Sequence, residues 1–232
     1  MTTLDVEVVR VFADADGGFG NPLGVVFDAA DLSGDLGVRL TAQLGFSETV
    51  FVDDLERRAI RIFTPARELK LAGHPVVGTA WVLARTLGEN PGVLRPRLAD
   101  EVAVWENDGL TWARCSVADA QSWDVVRLET VADVEALPVP PGPDYGHHQF
   151  WAWIDEPAGV LRARNFASDL GVAEDEATGS AAVHLAQLQG RPITIRQGRG
   201  SVIVARPAER PGWSEIGGRV VAEGRQAVTV VE

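Results

Sequence analysis

The chain has one cysteine and one lysine among its 232 residues. Cys115, being alone, rules out an internal disulfide, a Cys-rich zinc centre and a racemase that needs one thiol on each face of its substrate. Lys70 is the only side chain that could form a pyridoxal phosphate Schiff base. No apolar run approaches the length that crosses a bilayer, and the start, MTTLDVEVVRVF, lacks a basic, apolar secretory leader. The expected location is therefore cytoplasmic. Basic residues are in short supply: 21 against 33 acidic ones leave a formal net charge of −12. Such a surface repels a phosphate backbone and excludes nucleic acid as the expected partner. No Gly-rich nucleotide fingerprint follows a strand. Four histidines (74, 147, 148 and 184) show no metal-ligand spacing, and no metal site is expected. His147 and His148 read as a solvated pair, and His184 as packing or surface on a helix.

What is present is ordinary globular composition, 46% hydrophobic and 23% charged. Many short strands and few helices are predicted. DVEVVRVFA, GVVF (24–27), TVFVDD and AIRIF read as strands, and Ser33 as the cap of a helix reaching Phe46. A long helix is predicted from Pro75 to Leu87. EVAVW and LTWARCSV flank Asn107-Asp108-Gly109, a strong hairpin signal. PVPPGPDYG (138–146) is the most loop-like stretch. FWAWI, LRARNFA, ITIRQ, SVIVARP and QAVTVVE are further strands, EIGGRVV a turn region, and Thr178–Gln189 the second strong helix.

Both strong helices follow the same arrangement. Arg61-Ile-Phe63 precedes His74-Pro-Val-Val-Gly78-Thr79-Ala80, and Arg164-Asn-Phe166 precedes Asp175-Glu-Ala-Thr-Gly179-Ser180-Ala181. His74 and Asp175 are 101 residues apart, as are Gly78 and Gly179; the Arg-x-Phe strands are 103 apart. A duplicated strand–loop–helix brings two helix starts together, each with unpaired N–H groups and partial positive charge. Glycines at 73, 78 and 179 leave those donors open, so a carboxylate could be bound despite the net charge. Taken alone, Gly78, Ala80 and Ala181 read better as small residues for close helix packing. Asp175 could be a plain N-terminal cap, and His74 a structural histidine. Glu48 opens the apolar strand TVFV; partial burial would raise its pKa, although a surface glutamate is the commoner outcome.

In order and spacing, these motifs resemble the PhzF-like phenazine-biosynthesis family. The resemblance rests on Asn21-Pro22, Ser47-Glu48-Thr49, Phe63-Thr64-Pro65 with Glu68, and Ala72-Gly73-His74-Pro75 with Gly78-Thr79-Ala80. In the second half it rests on Arg164-Asn-Phe166, Gly171, Glu174-Asp175 and Ala177-Thr178-Gly179-Ser180-Ala181. It runs to about Ser201. It implies an α/β (α+β) diaminopimelate-epimerase-like fold of two pseudo-symmetric domains, each a curled, mostly antiparallel sheet around a central helix. We place the halves at 1–110 and 111–232, with the last strands packing back on the first half. The implied activity is isomerisation or epimerisation of a small anionic metabolite, needing neither metal nor organic cofactor, of the trans-2,3-dihydro-3-hydroxyanthranilate isomerase type. Glu48 would be the general base, assisted by His74, Asp175 and Ser180. Gly73, Gly78, Thr79, Thr178 and Gly179 would bind the substrate, and the protein would be a homodimer. Two departures stand out: Glu176 replaces the usual proline, adding a negative charge beside the supposed anion site, and the chain is short between about 90 and 160. Both motivate an alternative, a non-catalytic small-molecule-binding homologue.

Overall fold

Leu4, Val6 and Val8 are buried while Thr3 and Asp5 are exposed, the period-two pattern of a half-buried strand. The computed structural model, which describes residues 1–230, accordingly places them in β1 (Thr2–Ala13), followed by β2 (Asn21–Val26). Helix α1 (Gly34–Leu44) begins where the Ser33 hydroxyl accepts the Leu36 N–H and ends at Gly45, whose φ of 68° only glycine adopts freely. The chain continues through β3 (Glu48–Asp54), β4 (Ala59–Phe63), β5 (Glu68–Leu69) and α2 (Gly73–Leu87). Strands β6 (Val93–Pro96), β7 (Val102–Asn107) and β8 (Leu110–Ser116) close the first repeat. Asn107 pairs with Leu110 across Asp108 and Gly109, both at positive φ, the mirror-image turn that the Asn-Asp-Gly signal predicts.

The second repeat comprises β9 (Asp124–Arg127), α3 (Val131–Glu135), β10 (His148–Asp155), β11 (Val160–Ala167), β12 (Val172–Asp175) and α4 (Gly179–Gln189). It ends with β13 (Ile193–Gln197), β14 (Ser201–Pro207) and β15 (Trp213–Val230). Its pairing follows the first repeat step by step. Parallel β2–β3 matches β9–β10, antiparallel β3–β4 matches β10–β11, and β5 on β4 matches β12 on β11. Parallel β4–β6 matches β11–β13. The hairpin register repeats as well: Asp54 pairs with Ala59 and Asp155 with Val160, each 101 residues on.

Helices α2 and α4 supply the centre of the main core. Val76, Val77 and Leu83 of α2 share it with Val183, Leu185 and Ala186 of α4. Both are apolar nearly all round because strands enclose them. A smaller core lies under α1, where Leu36 and Leu40 meet Phe51 and Phe63. No helix among the described residues is long and apolar enough to cross a membrane.

Three expectations change. EIGGRVV is not a turn but part of β15, which lies between β8 and β14 over Trp213–Gly218 and then pairs with β1 from Arg219 to Val230. Its glycines make room for rings: a Cβ at Gly217 would lie 2.5 Å from Trp112, and one at Gly218 2.4 Å from Phe12. The last two residues of QAVTVVE lie outside the described residues. Helix α2 starts at Gly73, two residues before Pro75. Helix α3 is additional: Thr130 and Asp133 cap it reciprocally, a short-range signal masked by the loop-like stretch that follows.

Candidate active site

The two repeats meet at the starts of α2 and α4. A Cβ on Gly73 would fall 2.4 Å from Gly179 Cα, and one on Gly179 would fall 2.5 Å from Gly73 Cα and 2.9 Å from the His74 nitrogen. Only glycine at both positions lets the helix ends approach this closely. Neither end is capped by a side chain, since Ala72 has no hydroxyl and Thr178 directs its own to Asp175. First-turn N–H groups are therefore left to face a ligand, each backed by a helix dipole.

Glu48, His74, Asp175, Ser180, Gly73, Thr178 and Gly179 line one cavity of ≈ 450 Å³, counting its open mouth. Glu48 enters at the first residue of β3, His74 at the second residue of α2, and Asp175 at the last residue of β12. Glu48 is 14% exposed and His74 2%, with Glu48 Oε2 3.6 Å from His74 Nδ1. Burial, and then the negative charge of Asp175, push the Glu48 carboxyl up to about 8. Burial holds His74 down at about 3, so its ring is neutral. The Glu48–His74 approach is thus a polar contact rather than an ion pair.

Asp175 rises to about 6, mainly through burial, against the hydrogen bonds it receives. Asn21 Nδ2 donates to its Oδ1 at 2.6 Å and Thr178 Oγ1 to its Oδ2 at 2.6 Å. The network extends both ways. Ser47 Oγ donates to Asn21 Oδ1, and Gln197 Nε2 donates to Thr178 Oγ1 and the Asp175 carbonyl. Asp175 is therefore fully engaged, whereas Glu48 Oε2 and His74 Nε2 are buried with no partner among the described residues. The free lone pair belongs to the more basic carboxylate, the arrangement suited to taking up a proton.

Two expected substrate-binding residues do not reach the cavity. A Cβ on Gly78 would strike Leu23 at 2.5 Å and Val11 at 2.6 Å, so Gly78 lets α2 pack on β1 and β2. Thr79, also one turn into α2, is fully buried away from the cavity lining. The histidine pair differs too. His147 stacks on Trp123 at 4.3 Å and lies 2.8 Å from Asp169, while His148 is only 17% exposed. His184 packs by a hydrogen bond with the Gln121 carbonyl. Cys115 is buried and its thiol is pushed up to about 12. Glu176 turns away from the cavity: its carboxylate accepts Arg199 N–H and Ser201 Oγ, each at 3.0 Å. Asn21, Gln197 and Trp123 were absent from the expected site. Asn21-Pro22 carried a signal in its family motif; Trp123 is one of seven tryptophans in an unremarkable stretch and carried none.

The chain is 31% identical to trans-2,3-dihydro-3-hydroxyanthranilate isomerase of Pseudomonas aeruginosa, with 88% of each chain covered. The chain belongs to the phenazine-biosynthesis-like family. That family's model, described as phenazine biosynthesis-like protein, matches residues 9–95 of this PhzF-family member. In fold it is similar to a PhzF-family phenazine biosynthesis protein from Bacillus anthracis, with a TM-score of 0.77 at 18% identity over 99% of this chain and 100% of that one. It is also similar to a hydroxyproline epimerase from Agrobacterium vitis, with a TM-score of 0.57 at 13% identity over 97% and 92%. The fold is thus of the diaminopimelate-epimerase-like type, and this PhzF-family chain falls in the isomerase class.

Proposed function

We propose that this protein catalyses a proton shift on a small carboxylate metabolite, using its own side chains, in the manner of a trans-2,3-dihydro-3-hydroxyanthranilate isomerase. The two repeats, the first ending with β8 at Ser116 rather than at the expected 110, supply opposite walls of the site. One observation carries the reading: a basic carboxylate, Glu48, with one oxygen lacking a hydrogen-bond partner, lines the same cavity as two glycine-opened helix starts.

The substrate carboxylate is held by first-turn N–H groups around Gly73 and Gly179-Ser180. Ionised Glu48 removes a C–H proton. The bond's electron pair moves toward the substrate's carboxylate, and the helix N–H groups and the Ser180 hydroxyl stabilise the negative charge that develops there. Glu48, now protonated, returns its proton at another carbon on the same face of the substrate, so protons and electrons balance. A base near 8 is strong enough to share a proton with an activated C–H yet is partly ionised at neutral pH. Neutral His74 supplies polarity without a competing charge, and Asp175 keeps Glu48 basic by repulsion.

Glu48→Gln tests the reading. It retains shape and hydrogen bonding but cannot accept the proton, so ligand affinity should stay within a few-fold while kcat falls by about two to four orders of magnitude. Equal loss of affinity and rate would assign Glu48 to binding. A ligand that binds wild type with no turnover to lose would favour the non-catalytic homologue.

A further inference from the structure

The segment between β8 and β9 delivers one aromatic ring to the cavity, Trp123, which the mechanism above does not use. Its indole N–H donates to Ser180 Oγ at 2.9 Å. An indole nitrogen can only donate, so Ser180 must accept, and its single O–H has to point elsewhere. Ser180 lies in the first turn of α4, beyond reach of any carbonyl four residues back in the helix, and no hydrogen bond to another acceptor is seen among the described residues. We propose that Trp123 is a positioning residue that fixes the Ser180 hydroxyl as a donor into the cavity, toward an anionic or carbonyl oxygen of the substrate. This assignment rests on the proton-transfer reading for its chemical consequence, though not for its geometry.

The indole is held on several sides. Its ring stacks on His147 with an interplanar angle of 7°. Ala120 bridges to Leu71 beside the start of α2, and His184, one turn beyond Ser180 on α4, meets the Gln121 carbonyl at 3.1 Å. Segment 120–123 is therefore fastened to α4 and to the β-bridge residue Leu71 just ahead of α2. The same helix face that carries Ser180 carries the residue that places its partner. A freely rotating serine would divide its time between accepting from and donating to a ligand. One that already accepts can only donate, which favours an oxygen-centred charge over an ammonium at that position.

Full-length Trp123→Phe keeps the ring and its stacking but loses the N–H. It is compared with Ser180→Ala and the double variant by two readouts. One is the rate of solvent-deuterium incorporation into trans-2,3-dihydro-3-hydroxyanthranilate, with kcat and KM separated; the other is the Kd of anthranilate, a non-reacting carboxylate. Ser180→Ala should lower kcat about 100-fold, and Trp123→Phe about tenfold with KM changed less than threefold. In the double variant the loss should equal that of Ser180→Ala alone, because the indole then has no hydroxyl to orient. Anthranilate affinity should show the same non-additivity. Trp123→Phe matching wild type, or a double variant showing the product of the two single losses, overturns the assignment. Coupling seen in anthranilate affinity without exchange in wild type sustains it and removes the catalytic reading instead. Absence of both signals in wild type overturns both.

Discussion

Replacing Glu48 by Gln should stabilise the protein, and increasingly so as pH rises. Burial and Asp175 raise the folded-state pKa of Glu48 from 4.5 to about 8. A carboxyl raised in this way binds its proton more tightly folded than unfolded. Its contribution is therefore fully favourable below 4.5 and is lost as pH climbs toward 8. A tenfold difference in proton affinity between the folded and unfolded chain corresponds to about 1.4 kcal/mol. The advantage of Glu48→Gln should accordingly grow by about 3–4 kcal/mol between pH 5 and pH 8, then level off. For a chain of this length that is a gap of about 10 °C in Tm. His74 acts with the opposite sign, since a ring held near 3 destabilises the folded state as pH falls below 6.5. It is common to both proteins and cancels to first order in the difference. Thermal or urea unfolding of wild type and variant at half-unit pH steps supplies the curve. A gap that stays flat, or narrows with rising pH, would refute the claim that Glu48 is held in a medium hostile to its charge.

Three further outcomes follow from the same geometry. The free enzyme's kcat/KM should rise with pH toward a plateau above about 8, because Glu48 must be ionised to take a proton; pH–rate measurement shows a limb with the opposite slope if Glu48 acts first as an acid. Asn21→Ala removes a 2.6 Å hydrogen bond that favours ionised Asp175, so the lower-pH titration of the pair, followed by carboxyl NMR, should move up from about 6. Gly179→Ala drives a methyl into the Gly73 backbone at about 2.5 Å. It should cost at least about 1–3 kcal/mol and abolish ligand binding, whereas Gly88→Ala, open to solvent but at a φ of 74°, should cost only backbone strain and spare binding.

The architecture was readable where local rules act alone. Ser33 and Asn107-Asp108-Gly109 each set a boundary by short-range geometry, and the duplicated Gly-[Thr/Ser]-Ala helices announced the repeat, whereas Gly45 ends α1 short of the expected Phe46. Gly217-Gly218 misled because a glycine pair signals a turn unless one knows that Trp112 and Phe12 occupy the space above it. The basicity of Glu48 was not legible from its neighbours. Part of it arises from Asp175, which only the meeting of two distant repeats brings near, and physics of the local sequence alone favoured the surface. Gly78 shows the reverse limit. Its position matched Gly179 at the shared offset, yet one faces β1 and β2 and the other faces the cavity, because the helices enter the meeting point with their glycines at different turns. Glu176 looked hostile to an anion site until its carboxylate was found closing the 199–201 loop.

The reaction assigned to Glu48 is the movement of a proton on carbon. Its most direct measurement is proton NMR in D₂O of trans-2,3-dihydro-3-hydroxyanthranilate and a panel of small cyclic and amino carboxylic acids, with wild type and Glu48→Gln side by side. If Glu48 carries this transfer, solvent deuterium should enter one defined C–H position with wild type, with or without net conversion, and none should enter above background with Glu48→Gln. Exchange that proceeds equally well in the variant would contradict it.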